Sequence, residues 1–228
     1  MSEWWTYSLS DFLMFSSRTY WRLVALYNQD IWPGQIVAVA AGCAALGCLL
    51  RSTVPARRAA LCVLAAAWAW VGWAYHLQRY ADIHTAGPWF AAAFALQTLM
   101  LGMAAARAGP ALPMRLPRGV GCTIAGLAVL AYPLLAPANG RAWAQAEVVG
   151  IAPDPTVAAT LGALLALRCG WILWPIPVAW CLASGATLME LRIGQAWLLP
   201  AVAGIAIGAG LLSRRGARAI SSTTDSPP

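Results

Sequence analysis

Both histidines of this chain, and every acid except Asp225, gather on one side of the charge pattern described below, so any chemistry belongs there. Three arrangements suit these residues. His76, Asp82, His84 and Glu147 are a candidate divalent-metal set, since imidazole and carboxylate suit zinc or a similar ion. Two histidines exclude a three-histidine centre but leave two histidines plus a carboxylate open. No compact ligand motif such as His-Glu-x-x-His is present, and no metal or other cofactor is expected. His76, Arg79, Gln97, Asp154 and Glu190 are candidates for a substrate path, with the acids concentrating a cation or solute at its mouth. In the third arrangement these groups only satisfy each other at a wet interface, Asp82 with Arg79 and Glu190 with Arg192. No catalytic set stands out. All 15 basic residues are arginine, which excludes Schiff-base chemistry and a phosphate-loop lysine.

The elements that must position these side chains are membrane helices. Hydrophobic residues make up 61% and charged residues 10% of the 228, against about 45–50% and about 25% in soluble chains. A soluble surface cannot be built from so few charges. The net charge of +7 lies at segment edges, so nucleic acid is not the partner; the lipid bilayer is. A span needs about 20 apolar residues, and charge-free runs cover 31–50, 59–78, 83–106, 119–140, 169–189 and 193–213. The run 155–167 is short and crosses only if Arg168 snorkels and the helix continues past it toward Trp174.

The expected fold is all-α: a polytopic transmembrane bundle of seven spans, with six as the alternative. Ten arginines against one acid fall on alternating loops, and five arginines against seven acids fall on the other side. The arginine-rich side is cytoplasmic, which puts the N-terminus outside and the C-terminus inside. Residues 1–30, with Phe12, Phe15, Leu23 and Tyr27 at helical spacing and Ser8 or Ser10 as cap, read as an amphipathic interfacial helix. Residues 31–213 form the bundle, and 214–228 read as a disordered cytoplasmic tail.

Inside the bundle, polar groups are scarce. Pro133 and Pro137 should kink the fourth span, and Pro175 and Pro177 should break the start of the sixth. Thr98, Thr160, Ser184 and Thr187 offer hydroxyls. No carboxylate is expected at mid-depth, which argues against a proton-coupled carboxylate relay and leaves a facilitator of small solutes. The cysteines (Cys43, Cys48, Cys62, Cys122, Cys169, Cys181) read as small apolar fillers. Trp68, Trp70 and Trp73 should pack against neighbouring helices. Gly204 and Gly208 form a Gly-x-x-x-Gly step that admits another helix, from this bundle, from a second protomer or from a partner complex.

Several motifs, in order, resemble one family. They are Tyr27-Asn28 followed by Trp32-Pro33-Gly34-Gln35; Tyr75-His76 with Ile83, Phe94 and Gln97; Pro153-Asp154-Pro155-Thr156 with Leu161-Gly162; and Ile176-Pro177 with Trp180 and Gly185-Ala186. The chain is similar to the domain-of-unknown-function 6064 family of bacterial polytopic membrane proteins. It departs from the family pattern at His84, where asparagine is expected, and at Asp154, where cysteine is expected. The resemblance implies a multi-pass protein of the bacterial inner membrane. Members are often labelled permeases, with no established activity. The expected function is a permease-like transporter or facilitator of a small solute or ion. The alternative is a non-catalytic accessory subunit of a membrane complex, docking through Gly204 and Gly208. A membrane enzyme with an outward-facing metal comes third.

Overall fold

The computed structural model describes residues 15–51, 53–109 and 115–224, and these are helical with no strand among them. Helix α1, Ser17–Asp30, starts where the Ser16 hydroxyl accepts the Thr19 N–H; Ser8 and Ser10 lie outside the described residues. Its buried face is Tyr20, Val24, Tyr27 and Asn28, with Leu23 partly buried against the same core. The chain then bends by 92° into α2, Gly34–Leu49.

Helix α3, Val54–Trp70, is capped by Thr53 and continues as a π-helical turn, Val71–Leu77, and a 3-10 turn, Tyr80–Asp82. Helix α4 is Gly87–Ala106. Helix α5, Arg115–Gly126, runs into a second π turn, Leu127–Ala131, then Tyr132–Leu134 and the short α6, Leu135–Ala138. This irregular stretch coincides with Pro133 and Pro137, as expected. Helix α7 is Pro153–Ala166, α8 is Pro175–Glu190 after a 3-10 turn, and α9 is Leu198–Thr224. Helix α9 therefore extends beyond Arg214, where the tail is expected to begin.

Each of the seven expected runs carries a helix, but their lengths differ. Val54–Asp82, Gly87–Ala106, Pro117–Ala138 and Trp171–Glu190 are long and apolar enough to cross a bilayer, and the bent pair α1–α2 adds a fifth candidate. The apolar part of α9, Leu198–Ser213, is shorter. Helix α7 has 14 residues, about 21 Å at 1.5 Å per residue. It does not run past Arg168, the continuation on which a crossing by this run was expected to depend. Arg168 takes φ 51°, and the Cys169 N–H closes back onto the Leu164 carbonyl, ending the helix.

Helix α7 is buried along its entire length, at the centre of the bundle. The other helices surround it, α5 most closely. A Cβ placed on Gly121 would lie 2.4 Å from the Gly162 carbonyl oxygen, and one on Gly162 would lie 2.6 Å from the Ala125 nitrogen. The small residues that permit close crossing inside the bundle are thus Gly121 and Gly162. At Gly204 and Gly208 a Cβ would meet nothing within 4 Å, so no helix among the described residues packs there. Trp68 is fully buried, and Trp70, though 40% exposed, donates its indole N–H to Tyr27 OH of α1 at 3.0 Å, both as expected; Trp73, 55% exposed, packs on Trp70 of its own helix instead of on a neighbouring one. All six cysteines are free, Cys181 buried and Cys43 and Cys62 exposed.

This crossing predicts opposite signs for one substitution at two glycines. Gly162→Ala should destabilise by about 2 kcal/mol or more, because the methyl meets backbone. Gly204→Ala should be neutral or stabilise by up to about 1 kcal/mol through helix propensity alone. Unfolding of the purified variants in detergent checks both, and equal melting behaviour would contradict this packing.

Candidate functional site

Asp154 sits in the first turn of α7 and is 1% exposed. Its carboxylate accepts three hydrogen bonds from other elements: Ser184 Oγ at 2.8 Å, Trp180 Nε1 at 2.9 Å and Tyr132 OH at 3.4 Å. Ser184 lies about 9 Å along α8 from its Glu190 end, so the α7 N-terminus is sunk into the bundle. A helix N-terminus favours negative charge there. No ion pair to Asp154 forms among the described residues. The buried carboxylate overturns the expectation that the interior lacks one.

The two π turns deliver the surrounding side chains. An extra residue per turn widens the buried face of a helix, and at the end of α3 it brings the adjacent residues Tyr75 and His76 both inside. The second π turn precedes Tyr132. His76 is fully buried, with its ring centroid 4.5 Å from Phe94 and 4.8 Å from Trp180. Neither of its ring nitrogens has a partner among the described residues. Trp180 therefore joins the Asp154 carboxylate to the aromatic cage around His76. Beside them, a void of about 20 Å³ is lined by Tyr20, Tyr75, Tyr80, Phe90, Ser184 and Thr187, among others. That is room for about one water-sized occupant.

Helix α1 closes this chamber. Tyr20 reaches the void, Tyr27 OH donates to the Ile151 carbonyl, and Asn28 Nδ2 donates to the carbonyls of Ala144 and Ala146, both at 2.8 Å. Arg141 stacks 3.6 Å above the Trp21 ring and donates to Gln195 Oε1 at 2.8 Å. Gln195 in turn donates to Glu147 Oε2 at 3.3 Å.

The sequence-derived candidates separate. Asp154 is the centre, and His76 and Glu147 are buried near it. Gln97 is fully buried and donates to the Leu173 carbonyl, away from the carboxylate. Asp82 is exposed, and so is Glu190 at the end of α8. His84 stacks on Tyr80 and accepts the Ala86 N–H. Arg79 pairs with Asp30 at 2.8 Å, not with Asp82. His76, Asp82, His84 and Glu147 do not converge: no cluster of three or more metal-ligating side chains occurs among the described residues. Tyr20, Tyr80 and Tyr132 were not singled out from sequence, and Tyr75 only as part of a family motif. Their signal was a polar hydroxyl within or beside apolar helical runs.

Burial, and then the charge of Asp154, push the Glu147 carboxyl up from 4.5 to about 8, against the opposing pull of Arg141 and Gln195. The folded chain thus holds a proton that the unfolded chain releases. Its contribution to stability is complete below the ordinary carboxylate range and is lost as pH rises through about 8. Melting temperature should therefore fall between about pH 5 and about pH 8, and Glu147→Gln should flatten that slope. A thermal-unfolding series across this range tests it, and a slope unchanged in the variant would contradict the burial of the carboxyl.

No curated protein and no solved structure matches the chain. A model described as a family of unknown function, DUF6064, matches residues 17–220, from the first residue of α1 to well inside α9. By that match, which takes in Asp154 and every side chain around it, the chain belongs to the DUF6064 family.

Proposed function

We propose that this protein is a permease-like carrier of a water-sized cation in the bacterial inner membrane, with Asp154 as the binding carboxylate. The observation that carries this reading is a buried Asp154, held by three neutral donors and no cation, next to a void of about 20 Å³ lined by aromatic rings. A carboxylate, a hydroxyl and aromatic rings are the chemistry that recognises a small cation. An ionisable group this deep in an apolar bundle is costly to keep unless it serves a path. Ser184 orients the carboxylate, and Tyr20, Tyr75, Tyr80 and Trp180 exclude water. Helix α1 is the gate, because it covers the chamber through side-chain contacts that can be broken without unfolding the bundle. The arginine distribution supports an α1 end facing outward and a cytoplasmic C-terminus.

Reconstitution into liposomes, with proton, ammonium, sodium and potassium gradients in turn, tests the proposal. Flux above empty vesicles is expected for one of them. Asp154→Asn should lower it at least about tenfold, while Asp82→Asn, in an exposed turn, should leave it unchanged. Wild-type flux equal to that of empty vesicles for all four ions would refute the carrier reading, as would an Asp154→Asn variant as active as wild type.

One observation favours a second reading, an accessory or self-associating subunit. Gly204 and Gly208 offer an open small-residue step that the described residues leave uncovered. Native isolation yielding a stoichiometric membrane partner, lost on Gly204→Leu, would favour it.

A further inference from the structure

On the side of α7 away from the aromatic cage, a crevice of about 630 Å³ runs between α2 and α3, open on one flank. Its walls are almost wholly apolar and come mainly from small residues, Ala38, Ala41 and Ala45 on α2 facing Ala60, Ala67 and Leu64 on α3, with Ala159 and Ala163 of α7 as its floor. The volume falls within the range of specific ligand sites, about 300–1,000 Å³. The lining extends along α2 from Gly34 to Leu49, about 22 Å.

Length, apolar lining and the charges at one end identify the occupant. A single hydrocarbon chain, whose carbons sit about 4 Å from their neighbours, fits. The crevice is too long to be filled by one side chain from the surface. Polar groups occur at one end only. There Asp30 lines the mouth and pairs with Arg79 at 2.8 Å, both side chains about half exposed. A carboxylate and a guanidinium side by side are complementary to an ammonium and a phosphate carried by one headgroup.

We infer that this crevice holds one acyl chain of a zwitterionic aminophospholipid, with the lipid phosphate on Arg79 and its ammonium on Asp30. The site is separate from the Asp154 chamber and does not depend on transport. The bound chain completes the packing of α7 between α2 and α3.

The experiment places the protein in nanodiscs of phosphatidylethanolamine that carries a diazirine along one acyl chain, followed by illumination and peptide mapping. Label should concentrate on the crevice walls of α2 and α3, about fivefold or more above lipid-exposed positions such as Leu99 and Leu127. Ala41→Phe and Ala67→Phe should each reduce crevice labelling by about the same factor, and Ala40→Phe, exposed on α2 outside the crevice, should not. Replacing the lipid by diacylglycerol with the same chains should weaken wild-type labelling but not that of Arg79→Gln. Label spread evenly around the bundle overturns the inference. So does crevice labelling unchanged in both filled variants, or a protein–protein cross-link across the crevice that puts a second copy there. If the filled variants do not fold, the wild-type map alone decides.

Discussion

A helix whose every residue is buried must have nearly all its contacts supplied by its neighbours, and α7 imposes that demand on the whole bundle. Its backbone is satisfied internally, as an apolar environment requires. Its side-chain hydroxyls are satisfied too: Thr160 and Thr156 each donate to the carbonyl one turn earlier, and Trp68 of α3 donates to Thr160 at 2.8 Å. On one side only Gly121 lets α5 come close enough. A side chain with a Cβ at either glycine of that crossing would push α5 and α7 apart and open a gap along the core.

The shortness of α7 creates the site. Because it has only 14 residues and begins about 9 Å below the Glu190 end of α8, the loop before it must descend into the bundle. Val148, Val149, Ile151 and Ala152 of that loop are buried. A descending loop leaves its carbonyls without helical partners, and α1 supplies donors to those of Ala144, Ala146 and Ile151. The bend of 92° after Asp30 is what lays α1 across this end of the bundle rather than alongside it. The chamber around Asp154 is thus a consequence of one short central helix and the cover its entry loop requires.

Much of this was legible in the sequence, and the omissions have physical causes. Charge-free runs located the helices after α1, because charge is excluded from apolar surroundings for the same reason in lipid and in a packed core, and α1 was legible from its helical spacing. That shared cause is also why the runs could not distinguish α7, buried in protein, from a lipid-facing span. Its lack of any exposed residue is visible only once neighbours are placed. Asp154 was a path candidate as one of the acids gathered on one side of the charge pattern, but its depth depends on where α7 starts relative to α8, which no local pattern encodes. His76 and Glu147 were singled out for ligand chemistry, yet partnership with Asp82 and His84 failed because His76 turns inward on a π turn while Asp82 remains in an exposed one. The Gly-x-x-x-Gly step was conspicuous because its glycines share one helix. Gly121 and Gly162 escaped notice because the pair exists only across two.

The five residues 150–154 connect the features that matter most. Gly150, at φ 85°, turns the chain in a conformation open to glycine and donates its N–H to Thr156 Oγ1 at 2.8 Å. Ile151 offers its carbonyl to Tyr27 of α1. Gly150 and Ile151 also line the apolar crevice, and Asp154 follows one residue after Pro153. The cover helix, the lipid-facing crevice and the buried carboxylate therefore act on the same stretch of backbone. Lifting α1 releases the Ile151 carbonyl, and a chain seated in the crevice presses on the same residue from the other side. Any change in how α7 presents Asp154 to Ser184 and Trp180 must pass through this turn, because the remainder of α7 is fixed by the glycine crossing with α5.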